Sequence, residues 1–579
     1  MGKRAVVLFS MTALLAGCTS LPASTEPEVL RSFGAPASTQ ANRPTVNLAP
    51  DLLVREFYAS FARPEQQYQL SRSYLTDTTA ISWKPSEELL VLDRVDVNYS
   101  YDQETTMESP SAERIVTYEV TGTITGVITA GGAYEPRNEQ YRQEIDLEQI
   151  DGQWRISSLP STIAIETAKL RSTYQVKNLY FFEPGGVSLV SDRRWIASGS
   201  ADLGSSLITL LLSGPARTLS AGVLNEIPSS AAFAGVEEGV YHLTGLASLD
   251  EPARARLIAQ LVWTLALADV PGPYTFAIDS DVFSLAATGA MELDVDDFAE
   301  YNPQGSTSVI GQLYFLNDGS LMRMYGDNLE PVPGFLGVSG AIESADISAA
   351  LDAAAIVQTS GNDENKRSTM LVGEIEGNYS EVLSARTLTR PSFDSFGSSL
   401  WTVLDGETVL RLVRSSGTGE ITQTEVDTSA LGENRGTISV FRLSHSGVRV
   451  AFIMDGRVYT ATVARPNAGE RRLVNIQEIL PAIEDSALSV DWDSNDGLII
   501  GTTNIDTPIW RVEQDGSAGY SLPNNNIAAP VVQVGANSST IYATDARSTV
   551  EFSVSGSGSS FWREVPGLEG ERSVPIISH

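Results

Sequence analysis

From Asp51 the apolar residues fall at helical spacing: Leu53, Phe57 and Phe61 recur four apart, and a second amphipathic stretch, about Tyr68 to Leu75, follows the break at Pro64. The period then changes to two. Val95, Val97, Tyr99 and Tyr101 alternate with polar neighbours, and Val116, Tyr118, Val120, Gly122, Ile124 and Ile128 continue a long strand pattern. Tyr141, Ile145 and Leu147 lead to Asp151-Gly152, a hairpin pair, with Trp154 and Ile156 beyond it. Helices followed by a curled antiparallel sheet predict an α+β domain over residues 51–175.

That layout, closing on Gly152-Gln153-Trp154-Arg155-Ile156, is similar to the cone-shaped NTF2-like modules. Such a cone either holds a small molecule or serves as a scaffold. The sequence brings no convergent His, Asp and Arg set to it, which favours the scaffold.

A second module opens at Val176 to Phe182 and includes Asp192-Arg193-Arg194-Trp195. It continues with Leu211-Leu212-Ser213-Gly214-Pro215, then Glu226-Ile227-Pro228. A helix follows, with Leu257, Leu261, Thr264 and Leu265 on one face and Asp250 and Pro252 at its start, and then alternating Tyr274, Phe276 and Ile278. This series, with Gln260-Leu261-Val262-Trp263-Thr264-Leu265, closely resembles the GerMN domain and is placed at residues 176–285. The acidic run Glu292 to Glu300, with Asp294, Asp296 and Asp297, reads as a solvated connector over 286–305 rather than a cation site or a basic partner's docking patch.

Beyond residue 306 helical periodicity is almost gone. Apolar runs bounded by small or polar turns recur at Ile347, Phe393, Leu443, Val490 and Val534, with separations of 46, 50, 47 and 44 residues. That spacing suits a four-stranded propeller blade, and two β-sandwiches would leave it unexplained. With Leu313 to Met324 as a first or shared blade, residues 306–579 form a β-propeller of about six blades. The expected fold class is therefore multidomain: an NTF2-like α+β domain, a GerMN α+β domain and an all-β propeller.

The amino terminus carries a different pattern. Lys3 and Arg4 precede an apolar run, Ala5 to Leu15, too short to span a bilayer, and Leu15-Ala16-Gly17-Cys18 follows. Residues 1–17 read as an export signal, and the string looks like the lipobox of bacterial lipoproteins. That resemblance implies diacylglyceryl attachment at Cys18, with cleavage before it; the alternative is an ordinary signal peptide that ends near a cysteine. Two or more acyl chains anchor stably because buried CH₂ groups add at ~0.8 kcal/mol each. Residues 18–50, rich in Ser, Thr, Pro and Ala, read as a flexible tether.

Composition narrows the partners. The 579 residues carry a formal net charge of −33, which repels nucleic-acid phosphates and anionic lipid surfaces alike. Cys18 is the only cysteine, so intrachain disulfides are excluded. The three histidines, His242, His445 and His579, have no ligand or base partner at a recognisable spacing and read as structural or solvated. Gly337-Val338-Ser339-Gly340-Ala341 is not a nucleophile elbow, and no Gly-Lys-Ser/Thr phosphate loop is present. Asp491-Trp492-Asp493-Ser494-Asn495-Asp496-Gly497 fails as a calcium loop. It has Asp496 where glycine is needed and Thr502 where a bidentate glutamate is needed, so it reads as a turn between strands. No catalytic residue, metal or cofactor is expected, and an envelope hydrolase would need a carboxylate pair that sequence does not reveal.

In this order and at this length, the lipobox, NTF2-like region, GerMN domain and propeller resemble the LpqB lipoprotein family of actinobacteria. The resemblance implies a non-enzymatic protein, lipid-anchored at the outer face of the cytoplasmic membrane. It also implies an accessory of the Mtr two-component sensor kinase that influences cell-wall and division control. The alternative is a binding module for peptidoglycan or another envelope glycan that uses Trp401, Trp492, Trp510 or Trp562 as stacking platforms.

Overall fold

The computed structural model describes residues 47–100, 115–199, 202–303 and 312–578, apart from 363–364, 395–396, 416, 419, 433–435 and 555–560. Cys18 and His579 lie outside the described residues.

The first domain places helices α1 (Pro50–Ser60), α2 (Glu65–Arg72) and α3 (Asp77–Ser82) before strands β1 (Leu89–Leu92), β2 (Asp96–Tyr99), β3 (Ile115–Ile128), β4 (Tyr134–Ile150), β5 (Gln153–Ser158) and β6 (Ile163–Glu166). The sheet order is β5-β4-β3-β1-β6, with β2 also paired to β3. Pairing is antiparallel except between β1 and β6. The β4–β5 turn has positive φ at both Asp151 (48°) and Gly152 (77°), as a tight primed hairpin requires. Helical spacing aims Leu53 and Phe57 of α1, and Phe61 just past its end, at the sheet, where they meet Tyr141, Ile145, Leu147 and Ile156 in one buried cluster.

A short helix, α4 (Thr167–Thr173), leads into the middle domain. There β7 (Tyr174–Phe182) and β8 (Leu189–Ala197) form a two-stranded hairpin, followed by α5 (Leu203–Leu212). Strands β9 (Ala232–Glu237), β10 (Val240–Thr244), β11 (Thr275–Ile278) and β12 (Asp281–Val282) make a sheet of order β12-β11-β10-β9. Between β10 and β11 runs α6 (Glu251–Leu267), capped by the Asp250 carboxylate, which accepts from the Ala253 amide at 2.9 Å, with Pro252 in its first turn. The helix is buried on more than the predicted face. Ile258, Val262 and Trp263 are covered as well as Leu257, Leu261 and Leu265, because β7, α5 and the acidic run all pack on it.

That acidic run leaves Glu292, Asp294, Asp296 and Glu300 exposed, as a solvated connector should, but it also packs on the middle domain. Leu293 pairs with Tyr274 and is fully buried, Phe298 is buried, and the Phe298 carbonyl accepts from the Trp263 indole at 3.0 Å. Its acids serve the backbone: Asp294 caps the turn Val295–Tyr301 and Asp297 accepts from the Asp294 amide. Apolar residues between the acids, rather than the charge run itself, decide where the segment lies.

Six four-stranded sheets follow among the described residues. Ile347, Phe393, Leu443, Val490 and Val534 each sit on the first strand of a blade: Ile342–Ser348, Ser392–Phe393, Ile438–Leu443, Ala487–Trp492 and Gln533–Ala536. The first blade is closed differently. Its three strands Leu313–Asn317, Ser320–Tyr325 and Asn328–Pro331 take Val574–Ile577, near the carboxy terminus, as the fourth, antiparallel to Leu313–Asn317. The ring is thereby sealed by strands from both ends of the propeller.

Candidate functional site

Three places could carry function: the interior of the first domain, the propeller axis, and the junction of the three domains. The first is filled. Phe57 and Phe61 are 1% exposed and stack edge-on at 4.8 Å, Trp83 lies 6.1 Å from both, and the Tyr58 and Tyr141 hydroxyls bond at 2.9 Å. Burial, with each other's nearby oxygen, raises the Tyr58 phenol well above its usual range.

The propeller axis is filled by charge. Asp346 of the second blade, Arg442 of the fourth and Asp491 of the fifth meet although the second and fourth blades are not neighbours, which requires contact across the axis. Arg442 reaches Asp346 and Asp491, each at 3.2 Å, and the Pro391 carbonyl at 2.9 Å. Arg390 bonds the Ala345 carbonyl at 2.9 Å and approaches Asp346 at 3.5 Å. The two guanidiniums shift oppositely. Burial and the charge of Arg442 push Arg390 down to about 10, whereas for Arg442 the carboxylates of Asp491 and Asp346 outweigh burial and raise it. Sequence reasoning did not find this network; its only signal is a charged residue beside the apolar anchors Ile347, Leu443 and Val490.

The junction is organised by one strand. In β8, alternation turns Asp192 and Arg194 to one side and Arg193 and Trp195 to the other. Asp192 and Arg194 form a bidentate pair at 2.7 and 3.1 Å. Arg194 also donates to Gly131 of the first domain at 2.6 Å, and Asp192 accepts from the Ala216 amide at 2.8 Å. Arg193 pairs with Glu513 at 3.0 Å and Asp515 at 3.2 Å in the fifth blade, and the Trp195 amide donates to Gly132 at 2.7 Å. Nearby, Arg449 donates to the Ser191 carbonyl at 2.7 Å and Ser191 donates to Asp496 at 2.7 Å. The Thr218 carbonyl accepts from Thr462 and Asn475 at 2.6 and 2.9 Å. Flanking this junction are two clefts of about 500 and 660 Å³, one beside Tyr68, Tyr174 and Trp195, the other beside Arg137, Arg171 and Leu480.

The remaining sequence candidates fall elsewhere. His242 is half-buried in β10 and His445 half-buried in the turn after Ile438–Leu443. In the calcium-like string, Asp493 accepts from the Asn495 and Gly497 amides at 2.8 Å and from Arg511 at 2.8 Å, while Asp491 and Asp496 are engaged as described, so its carboxylates serve the fold. Among the described residues no group of three or more His, Cys, Asp or Glu could hold a metal ion, and no helix is long and apolar enough to cross a membrane. The stacking platforms are corrected. Trp401, Trp492 and Trp562 are at most 2% exposed, their indoles donating to Ser399, Arg442 and Pro523, because each packs between blades; only Trp510 is half-buried.

A mixed α/β domain with a filled interior, a second α/β domain and a six-bladed propeller, meeting around β8, define a multidomain protein of the lipoprotein class built on a carboxy-terminal propeller. Family models bear this out: the lipoprotein LpqB N-terminal domain matches residues 43–171, the sporulation and spore germination domain 178–281, and the lipoprotein LpqB β-propeller domain 319–578. Lipoprotein LpqB of Corynebacterium diphtheriae is 46% identical over 577 residues, covering 99% of this chain and 98% of that one. The proteins of the same name from Corynebacterium jeikeium and Rhodococcus jostii are 34% and 31% identical, over 98% and 99% of this chain and 96% and 97% of theirs. The chain belongs to the lipoprotein LpqB family. Among solved structures, the β-propeller domain of Cps50 (Swd1) from Myceliophteria thermophila aligns at 12% identity and a TM-score of 0.27 over 39% of this chain and 70% of that one, a score that carries no argument.

Proposed function

We propose that this chain is an exported protein, held at the outer face of the cytoplasmic membrane by lipid on Cys18. There it acts as an accessory to the sensor kinase of the Mtr two-component system and so influences cell-wall and division control. Family membership over the whole chain carries this reading, together with Leu15-Ala16-Gly17-Cys18 behind a short apolar run. The filled interiors favour recognition by outer surfaces over chemistry on a small molecule. An accessory of this kind works by binding one state of the sensor's extracytoplasmic domain more tightly than another, and the shift it produces equals that difference in affinity.

Calorimetric titration of the protein against the purified extracytoplasmic domain of the Mtr sensor, with peptidoglycan fragments as a parallel ligand, tests the role. Saturable binding to the sensor at micromolar Kd or tighter, about −8 kcal/mol, is expected. Binding only to the glycan fragments overturns the accessory role. Cys18→Ala is expected to leave the body folded and release it from membranes.

A further inference from the structure

In a chain of net charge −33, three arginines crowd into one seam of the propeller. Strand alternation puts them there. In the third blade, Arg411 lies across from Trp401 and two residues from Val409, and both of those pack toward the fourth blade. In the fourth blade, Val463 and Leu473 are paired and face the third blade; Arg465 and Arg471 lie one step beyond on the same face, opposite each other at the end of that hairpin. All three stems therefore enter the seam between the third and fourth blades from its two walls, and all three side chains are half-buried.

Their partners do not satisfy them. Among the described residues the Arg411 side chain makes no hydrogen bond or ion pair, and the Arg471 side chain donates only to the adjacent Glu470 carbonyl at 2.7 Å. Arg465 approaches Glu183 no closer than 3.7 Å, and that carboxylate already accepts from the Gly185 and Val187 amides at 2.5 and 3.1 Å. The other acid at the seam, Asp394, accepts from the Ser398 and Ser399 hydroxyls at 2.7 Å through one oxygen; it acts on Arg411 and Arg471 through its charge alone, one carboxylate against three guanidiniums. The like charges are felt: burial first, then Arg411 and Arg465, push Arg471 down to about 10. Guanidiniums held together with most of their donors unused match oxygen anions, and three forks from two walls suit a tetrahedral anion better than a planar carboxylate, which one or two would saturate.

We propose that the seam between the third and fourth blades is a binding site for a phosphate-class oxyanion, held by Arg411, Arg465 and Arg471. The anion is either free or the terminal phosphate of an ester. This site is independent of the proposed role with the sensor, since it rests on the propeller alone.

The test is calorimetric titration of the full chain with inorganic phosphate and, separately, with glycerol phosphate. It is run at low ionic strength and at a mildly alkaline pH, above the second ionisation of both probes, where each anion is dianionic. Saturable one-to-one binding is expected, weakened about tenfold or more by Arg411→Gln and by Arg471→Gln, which a charge-assisted fork is large enough to produce. It should stay unchanged in Arg472→Gln, whose side chain points to the other face and pairs with Asp427. Binding of both probes assigns an ester-borne phosphate; binding of the inorganic ion alone assigns the free anion. No saturable binding by wild type up to about 10 mM, or binding retained in both glutamine variants, overturns the site. Should a glutamine variant lose its fold by circular dichroism, Arg411→Lys decides. It keeps the charge and loses the fork, so affinity equal to wild type would equally overturn the proposal.

Discussion

The first domain and the propeller close their centres by opposite means. The cone is packed with rings, Phe57, Phe61, Trp83 and Tyr141, whereas the propeller axis is packed with ions, Arg390, Arg442, Asp346 and Asp491. Rings fill volume without needing partners; ions fill it only if each finds its counterpart, because a buried unpaired charge is expensive. The axial set is therefore the more fragile of the two. Both solutions fill the centre with side chains, and they move recognition to outer surfaces and seams.

Breaking the ionic centre is expected to have the largest effect. Arg442→Leu leaves Asp346 and Asp491 buried without their shared cation and should destabilise the propeller by about 3–5 kcal/mol; denaturant unfolding followed by near-ultraviolet dichroism measures it. A loss below about 1 kcal/mol would mean that the axis is wetter and its charges less dependent on one another. In the cone, Phe57→Ala removes a ring that is 1% exposed, at a cost of about 3 kcal/mol. The variant should also acquire affinity for a small apolar probe such as benzene, which the filled wild-type cone does not bind.

Alkaline pH separates the centres further. Burial, with Glu56 nearby, holds the Tyr74 phenol up to about 12 against an ordinary value of 10.0. The folded state thus keeps a proton that the unfolded chain gives up. The associated stability is complete below about pH 10 and is lost as pH rises toward 12, and the share of tyrosinate absorbance that Tyr74→Phe removes should appear with unfolding of the first domain rather than before it. The smallest effect is local. Asp250→Ala removes the cap of α6 and should cost about 1 kcal/mol, visible as a small fall in the thermal midpoint with no change at either centre.

The propeller was legible because its inner strands are covered on both faces. Ile347, Phe393, Leu443, Val490 and Val534 stand out as apolar anchors, and their spacing gives the blade period. The closing strand Val574–Ile577 was not legible, since its partner Leu313–Asn317 lies at the other end of the propeller and no local period encodes that pairing. The helix α6 read correctly in type and start, but its one-faced pattern understated its burial, which depends on β7 and on the acidic run returning to cover it. The site was legible only in fragments. Asp192-Arg193-Arg194-Trp195 is recognisable as a strand, yet its role comes from Gly131, Gly214, Glu513 and Asp515, brought together by the fold. The blade tryptophans stayed ambiguous for the same reason: an aromatic at a blade edge and one between blades look alike in sequence, and three of the four prove to be core.

Filled centres place function on the outside, and that account needs the three domains to hold one arrangement through β8 and the segment Ala216 to Gly222. The most direct measurement is small-angle X-ray scattering of the full chain beside Gly222→Val, whose added Cβ would stand 2.7 Å from Val448 and Thr462 of the fourth blade. Wild-type scattering that fits the docked arrangement, with a larger radius of gyration in the variant and unchanged circular dichroism, is the predicted result. Wild-type scattering from separated domains, indistinguishable from that of Gly222→Val, would contradict it.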